Sequence, residues 1–125
     1  RDMGHPWGGM HSTGLDLAIL LQTFIDGGAS GDRRLFSPAA VRAMTADQNG
    51  ALQAPWGLGW GLARSRVWNF FGELCSEATF GHVGATGTAA WADPAQQLIC
   101  VVLTNQMVGS LLRRVSNAVS AAVVE

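Results

Sequence analysis

Thr79-Phe80-Gly81-His82-Val83-Gly84-Ala85-Thr86-Gly87-Thr88-Ala89-Ala90-Trp91-Ala92-Asp93-Pro94-Ala95-Gln96-Gln97-Leu98-Ile99-Cys100-Val101-Val102-Leu103-Thr104 is the stretch on which the fold turns. Thr79–Val83 predicts a short strand and Thr88–Ala92 a second, joined by the tight connection Gly84-Ala85-Thr86-Gly87. Asp93-Pro94-Ala95-Gln96 suits a type I turn, with Asp first and Pro second. Leu98–Thr104 is apolar on both parities, which predicts a central strand covered on both faces. Short connections between consecutive strands make the sheet antiparallel. Leu111, Leu112, Val115, Ala118, Val119, Ala122 and Val123 then recur at helical spacing within Ser110–Val124, with Arg113, Arg114, Asn117 and Ser120 largely on the opposite side.

Upstream of this block the pattern changes period twice. Trp56, Leu58, Trp60 and Leu62 alternate with Gly57, Gly59 and Gly61, which predicts a strand with an apolar face and a glycine face open to close approach by another backbone. Ser37-Pro38 reads as an N-cap followed by proline at the first helical position, starting a short helix through about Thr45. Thr13 to Asp16 has the form of a capping box. The helix after it carries Leu15, Leu17, Ala18, Ile19, Leu20, Leu21, Phe24 and Ile25 around most of its circumference, so burial on more than one side is expected. Gly27-Gly28 ends it, and residues 1–12 read as loop. The whole is an α/β (α+β) chain: an antiparallel sheet of three to four strands, a C-terminal helix packed on it and two preceding helices.

The 125 residues are the size of one domain. A formal charge of -1 gives no electrostatic reason to expect nucleic acid or an anionic membrane as partner. The run Leu98–Leu103 is too short to span a bilayer, and no basic segment followed by an apolar one marks a signal peptide. The chain opens on Arg1 rather than Met, so an upstream segment is expected. Every one of the 8 basic residues is Arg, and Tyr is absent as well. No Walker lysine, Ser-x-x-Lys pair, Schiff-base lysine or phenolic relay can therefore come from these residues. No Ser lies in a G-x-S-x-G elbow either, which excludes that α/β-hydrolase arrangement.

Charged residues make up 14%, against about 25% in ordinary domains. With 48% hydrophobic residues and five Trp, the chain is short of polar cover, so part of its apolar area is expected to face protein outside this sequence. Cys100 reads as a small buried hydrophobe; a disulfide with Cys75 is possible but nothing indicates it. His5, His11 and the cysteines match no zinc spacing, so no metal is expected.

Three segments together resemble the serine β-lactamase-related family, which includes class C β-lactamases, D-Ala-D-Ala carboxypeptidases and related esterases. Gly8-Gly9-Met10-His11-Ser12-Thr13-Gly14-Leu15-Asp16-Leu17-Ala18 looks like its G-G-x-x-S-T-x-x-D-L-A segment. Trp56-Gly57-Leu58-Gly59-Trp60-Gly61 resembles its Y/W-G-L-G-W strand. Phe80–Thr88, Trp91-x-Asp93-Pro94 and Val102-Leu103-Thr104-Asn105 resemble its G-H-x-G-x-T-G, D-P and L-T-N block, in the family's order.

The resemblance implies the C-terminal portion of a serine hydrolase that transfers or hydrolyses an acyl group. It would be a single partial domain over 1–125, helical over 1–50, with the sheet and last helix over 51–125. The family's Ser-x-x-Lys and Tyr-x-Asn motifs lie upstream of these segments and are absent here. His82-Val83-Gly84 matches the third motif, Lys-Thr-Gly in β-lactamases and often His-x-Gly in esterase-like branches. By carry-over, His82, Gly84 and the backbone N–H of Ala85 would be catalytic, the last as half of an oxyanion hole, with Thr86 and Gly87 binding substrate. Val83 has no hydroxyl to hold a β-lactam carboxylate, which favours ester or peptide substrates.

No cofactor is implied. The implied partners are the chain's own N-terminal region or a complementary chain carrying the nucleophile, a small acyl substrate and a second copy in a homo-oligomer. Family members are often periplasmic or secreted. The competing expectations are a non-catalytic binding or assembly module that kept the sheet, and a truncated remnant.

Overall fold

The computed structural model describes residues 8, 10–63, 65, 70–106 and 109–123. His5, most of the segment read as loop over 1–12, and Val124 at the end of the predicted last helix lie outside them. Helix α1 is Gly14–Ile25. Thr13 caps it reciprocally with Asp16: the Asp16 N–H donates to Thr13 Oγ1 at 3.1 Å and the Thr13 N–H donates to the Asp16 carboxylate at 3.3 Å. Gly27 and Gly28, both at positive φ, end it in a Schellman arrangement, with Gly28 N–H on the Thr23 carbonyl and Gly27 N–H on that of Phe24. Strands β1 (Ala29–Ser30) and β2 (Arg33–Arg34) make a small hairpin that the sequence pattern did not announce. Ser37 caps helix α2 (Pro38–Met44), accepting the Ala40 N–H at 3.1 Å.

The main sheet has four antiparallel strands, β3 (Gly61–Leu62), β4 (Phe80–Gly84), β5 (Thr88–Asp93) and β6 (Leu98–Val102), in that spatial order. Helix α3 (Gly109–Ala121) follows. The result is an α+β fold. Its two faces separate by residue parity. Phe80, Ala92 and Leu62 join Leu21 and Phe24 of α1 in one core, with Ala90, Ile99 and Val101 packed against it. Val83, Ala89, Trp91 and Cys100 face the other way, toward Phe71, Leu112 and Val119. Cys75 and Cys100 are both free thiols.

Three expectations are corrected. The strand at Leu98–Val102 is covered on both faces, but it is the outer strand of the sheet, not a central one. Two-sided apolarity reports what lies above and below a strand and says nothing about what pairs beside it. The segment Trp56–Leu62 is not one alternating strand. It reverses at Leu58-Gly59, where Gly59 sits at φ +83° and the Gly57 N–H donates to the Trp60 carbonyl at 2.7 Å. Trp56 thus returns to bridge Gly61. Only there does β3 begin.

Helix α1, expected to be buried on more than one side, leaves one line open, with Leu15 71% and Ile19 49% exposed. The buried line of α3 runs through Leu112, Ser116 and Ser120, whereas Leu111, Ala118 and Val123 are exposed. Ser116 can face inward because its hydroxyl is satisfied there. Oγ accepts the Trp91 indole N–H at 3.0 Å and donates to the Phe70 carbonyl at 3.1 Å.

Candidate active site

His82 occupies the middle of β4, opposite Ala90. Its side chain leaves the same face as Phe80. Phe80 is buried against Phe24 and Trp60, but His82 lies beyond that cluster and is exposed. The face there opens into a groove of about 270 Å³ between α1, the β4–β5 hairpin and the end of β6. Leu17, Ala90 and Leu103 give it apolar walls; His82, Gly84 and Thr88 line it along the hairpin.

Two contacts orient the imidazole. Nδ1 lies 2.7 Å from the Val83 carbonyl oxygen. A carbonyl only accepts, so Nδ1 is the donor in this contact. The Trp56 indole meets the ring edge to face, with centroids 5.6 Å apart and planes at 89°.

The candidate residues all fall on the β4–β5 hairpin, but the structure divides them. His82 and Gly84 line the groove. Ala85 and Thr86 stand exposed in the turn closed by the Gly87 N–H on the Gly84 carbonyl at 3.1 Å. Gly87 is buried at φ +83°, and a Cβ there would stand 2.1 Å from the Gln106 carbonyl oxygen. Thr104 braces the same turn, its hydroxyl donating to the Gly87 carbonyl at 2.6 Å. At Gly84 an added Cβ would stand 2.3 Å from Thr88 Oγ1. A side chain here would thus require the Thr88 hydroxyl across the hairpin to turn away. Sequence reasoning missed Trp56, Leu17, Thr88 and Leu103 as groove or ring neighbours. Trp56 was visible inside a motif, though its alternating context disguised the reversal that brings it to His82.

A second polar centre supports the far end of the same strands. Asp93, buried where β5 ends, accepts the Ser76 N–H and hydroxyl, both at 2.6 Å, and the Ala95 and Gln96 N–H groups at 3.0 and 3.2 Å. Burial pushes its carboxyl up, but the donors from Ser76 and Gln96 outweigh it and hold the group below the usual carboxylate range. Among the described residues, no cluster of three or more His, Cys, Asp or Glu is placed to hold a metal ion.

The chain matches the model of the beta-lactamase family over residues 1–124. It belongs to the beta-lactamase family. A protein from Escherichia coli O157:H7 that carries the description D-alanyl-D-alanine carboxypeptidase is 38% identical over 99 residues, covering 78% of this chain and 22% of that protein. Its counterpart in Escherichia coli K12 is 36% identical over the same length. Among solved structures, a beta-lactamase from Mycobacterium bovis superposes with a TM-score of 0.74 at 27% identity, over 89% of this chain and 44% of that one. A penicillin-binding protein homologue from Caulobacter crescentus gives 0.62 at 28% identity, over 85% and 30%. The chain thus spans 22% of the length of the carboxypeptidase-described relatives. Among the described residues, no helix is long and apolar enough to cross a membrane.

Proposed function

We propose that this member of the family supplies one wall of a serine-hydrolase active site: His82, and the Ala85 backbone N–H as half of an oxyanion hole. The acyl-accepting serine lies outside these residues, in the chain's own N-terminal region or a complementary chain. The exposed His82 ring at the mouth of the groove carries this reading. An imidazole oriented by its Nδ1 contact with the Val83 carbonyl is a group suited to take a proton from an attacking hydroxyl or water and return it to a leaving group. Thr86 and Gly87 shape the turn that presents the Ala85 N–H, and Gly84 keeps the approach to it narrow in side chains.

The substrate class follows from the lining. Leu17, Ala90 and Leu103 offer an apolar surface, and the Val83 side chain, packed with Ala89 and Leu112 on the other face of the sheet, adds no polar group to it. An ester or peptide acyl group is the better fit than a β-lactam. Alone, residues 1–125 should not turn over, because an activated nucleophile needs an adjacent base and the family's lysine and tyrosine are not in this sequence.

The test is complementation. The chain is joined to, or mixed with, a family segment bearing Ser-x-x-Lys and Tyr-x-Asn, then assayed on an activated ester, a D-Ala-D-Ala peptide and a chromogenic β-lactam. Turnover should appear only in the complemented protein. His82→Ala should then lower kcat by about 100–1000-fold without loss of assembly. An unchanged kcat in that variant would favour the non-catalytic module, and a stoichiometric acyl adduct on the uncomplemented chain would refute the missing-nucleophile reading.

A further inference from the structure

We infer that Thr88 is a specificity-determining residue: its hydroxyl selects acyl groups that carry a hydroxyl beside the scissile carbonyl, β-hydroxyacyl groups, over alkyl groups of the same shape. The substrate in this inference rests on the acyl-transfer reading above; the placement of Thr88 comes from the sheet.

The register builds the groove floor rung by rung. Directly opposed positions of an antiparallel ladder share a face, and so do positions two apart on one strand. Phe80, Ala92 and Ile99 form one rung and belong to the core. His82, Ala90 and Val101 form the next on that face. Gly84 and Thr88 form the last, with Leu103 following two positions after Val101. The groove opens over these two outer rungs, and of its described lining residues only His82 and Thr88 bring polar side chains.

The Thr88 hydroxyl leans toward the strand that carries His82. Oγ1 stands 2.3 Å from where a Cβ on Gly84 would be, so it fills the space that a side chain at position 84 would take. It is also uncommitted. Among the described residues nothing hydrogen-bonds the half-buried Thr88 hydroxyl, whereas that of Thr104, at the same end of the hairpin, donates to the Gly87 carbonyl. An alkyl chain laid along the floor would strip water from Oγ1 and give nothing back, which is the costly case for a polar group.

The number of polar groups then decides the class. Leu17, Ala90 and Leu103 are apolar, so an amide in the acyl group would bring an N–H and a carbonyl to a wall that answers one of them. A hydroxyl brings a single group that both donates and accepts, as Thr88 does. Thr88 is the diagonal neighbour of His82 across the hairpin, about 7–8 Å away along the backbone and nearer at Oγ1. A hydroxyl on the β-carbon of the acyl group is thus within reach of Thr88 when the carbonyl lies beside His82.

The test uses an isosteric pair, β-hydroxybutyrate and isovalerate, which differ by a hydroxyl in place of a methyl. The chain of residues 1–125 is titrated with the methyl ester of each, and the backbone amide shifts of Gly84, Thr88 and Ala90 are followed. The hydroxy ester should bind more tightly. Thr88→Val, which makes the same exchange on the protein side, should shift the ratio of the two affinities by about 3–10-fold toward isovalerate, and Thr88→Ser should keep the parent ratio. In the complemented enzyme the p-nitrophenyl esters are compared, each variant against the parent on the same ester so that intrinsic reactivity cancels. Thr88→Val should lower kcat/KM about 3–10-fold on the hydroxy ester and less than about 2-fold on isovalerate.

A ratio that Thr88→Val leaves unchanged overturns the inference, as does an equal loss on both esters, which marks a packing role. So does a parent chain whose Gly84, Thr88 and Ala90 amides respond to neither ester. A Thr88-dependent ratio in binding, with no turnover on complementation, upholds the selection and refutes only the acyl-transfer reading.

Discussion

A single buried carboxylate organises the end of the β5–β6 hairpin. Asp93 opens the turn that the Asp-Pro dipeptide announces, but its oxygens also reach back to Ser76, 17 positions earlier in the chain. Its pKa is lowered in the folded state by these donors, despite the burial that opposes them. The unfolded chain then binds more protons than the folded one as pH falls. The stability from this group is fully present above the unfolded carboxyl value of about 3.9 and is lost as pH drops through the lower folded value. Denaturant titrations should therefore show stability falling through the acid range below about pH 4. Asp93→Asn should cost about 1–3 kcal/mol at neutral pH and flatten that fall. An acid limb as steep in the variant as in the parent would show that other carboxylates set it. The turn was legible because Asp and Pro act within four residues; the Ser76 partnership was not, because nothing local encodes it.

At the scale of elements, the local signals proved the readable ones. The capping box at Thr13-Asp16, the Ser37-Pro38 start of α2 and the strand-turn-strand over Phe80–Asp93 involve neighbours in sequence, and the structure has each of them. What misled was periodicity read without hydrogen bonds. The alternation of Trp56–Leu62 fits a strand as well as it fits two arms of a reversal, and only the positive φ of Gly59 distinguishes them. A hydrophobic stripe on α3 likewise overlooks Ser116, a serine that buries well because it is bonded. Ser116 links α3 to Trp91 of β5 and to the Phe70 carbonyl, so Ser116→Ala would strand a fully buried indole N–H. Urea denaturation should find that variant about 1–3 kcal/mol less stable. A loss under about 0.5 kcal/mol, within the range of an ordinary surface change, would mean the indole finds another acceptor. The middle of α3 is further held by Glu73, which receives the Asn117 amide and lies 3.4 Å from the Arg113 guanidinium.

For the whole molecule, the shortage of charge becomes a surface. Leu15 and Ile19 stand one turn apart on α1, and Leu103, 56% exposed, follows the outer strand β6 that α1 covers. Gly14, where α1 begins, lies against Leu103, so these residues gather at one end of the α1 layer beside the groove. The hairpin half of the candidate site was legible because His82 to Gly87 are contiguous. The other wall was not, since Leu17 and Leu103 meet only after the chain has folded.

An apolar strip of this kind is normally a contact surface. The proteins this chain resembles are longer: it covers 22% of the carboxypeptidase-described relative and 44% of the Mycobacterium bovis beta-lactamase, which leaves further protein to lie beside such a strip. Taken as residues 1–125, the protein should bind a hydrophobic dye and sediment as a dimer or larger species at micromolar concentration. Leu15→Glu with Ile19→Glu should place two charges on the strip at positions that lack burial, returning the chain toward a monomer while its circular dichroism is kept. The complemented enzyme offers the control: with the strip covered, dye binding should fall in the parent and the double variant should assemble less well. A parent chain that sediments as a monomer and binds no dye would remove the contact surface from this end of the molecule.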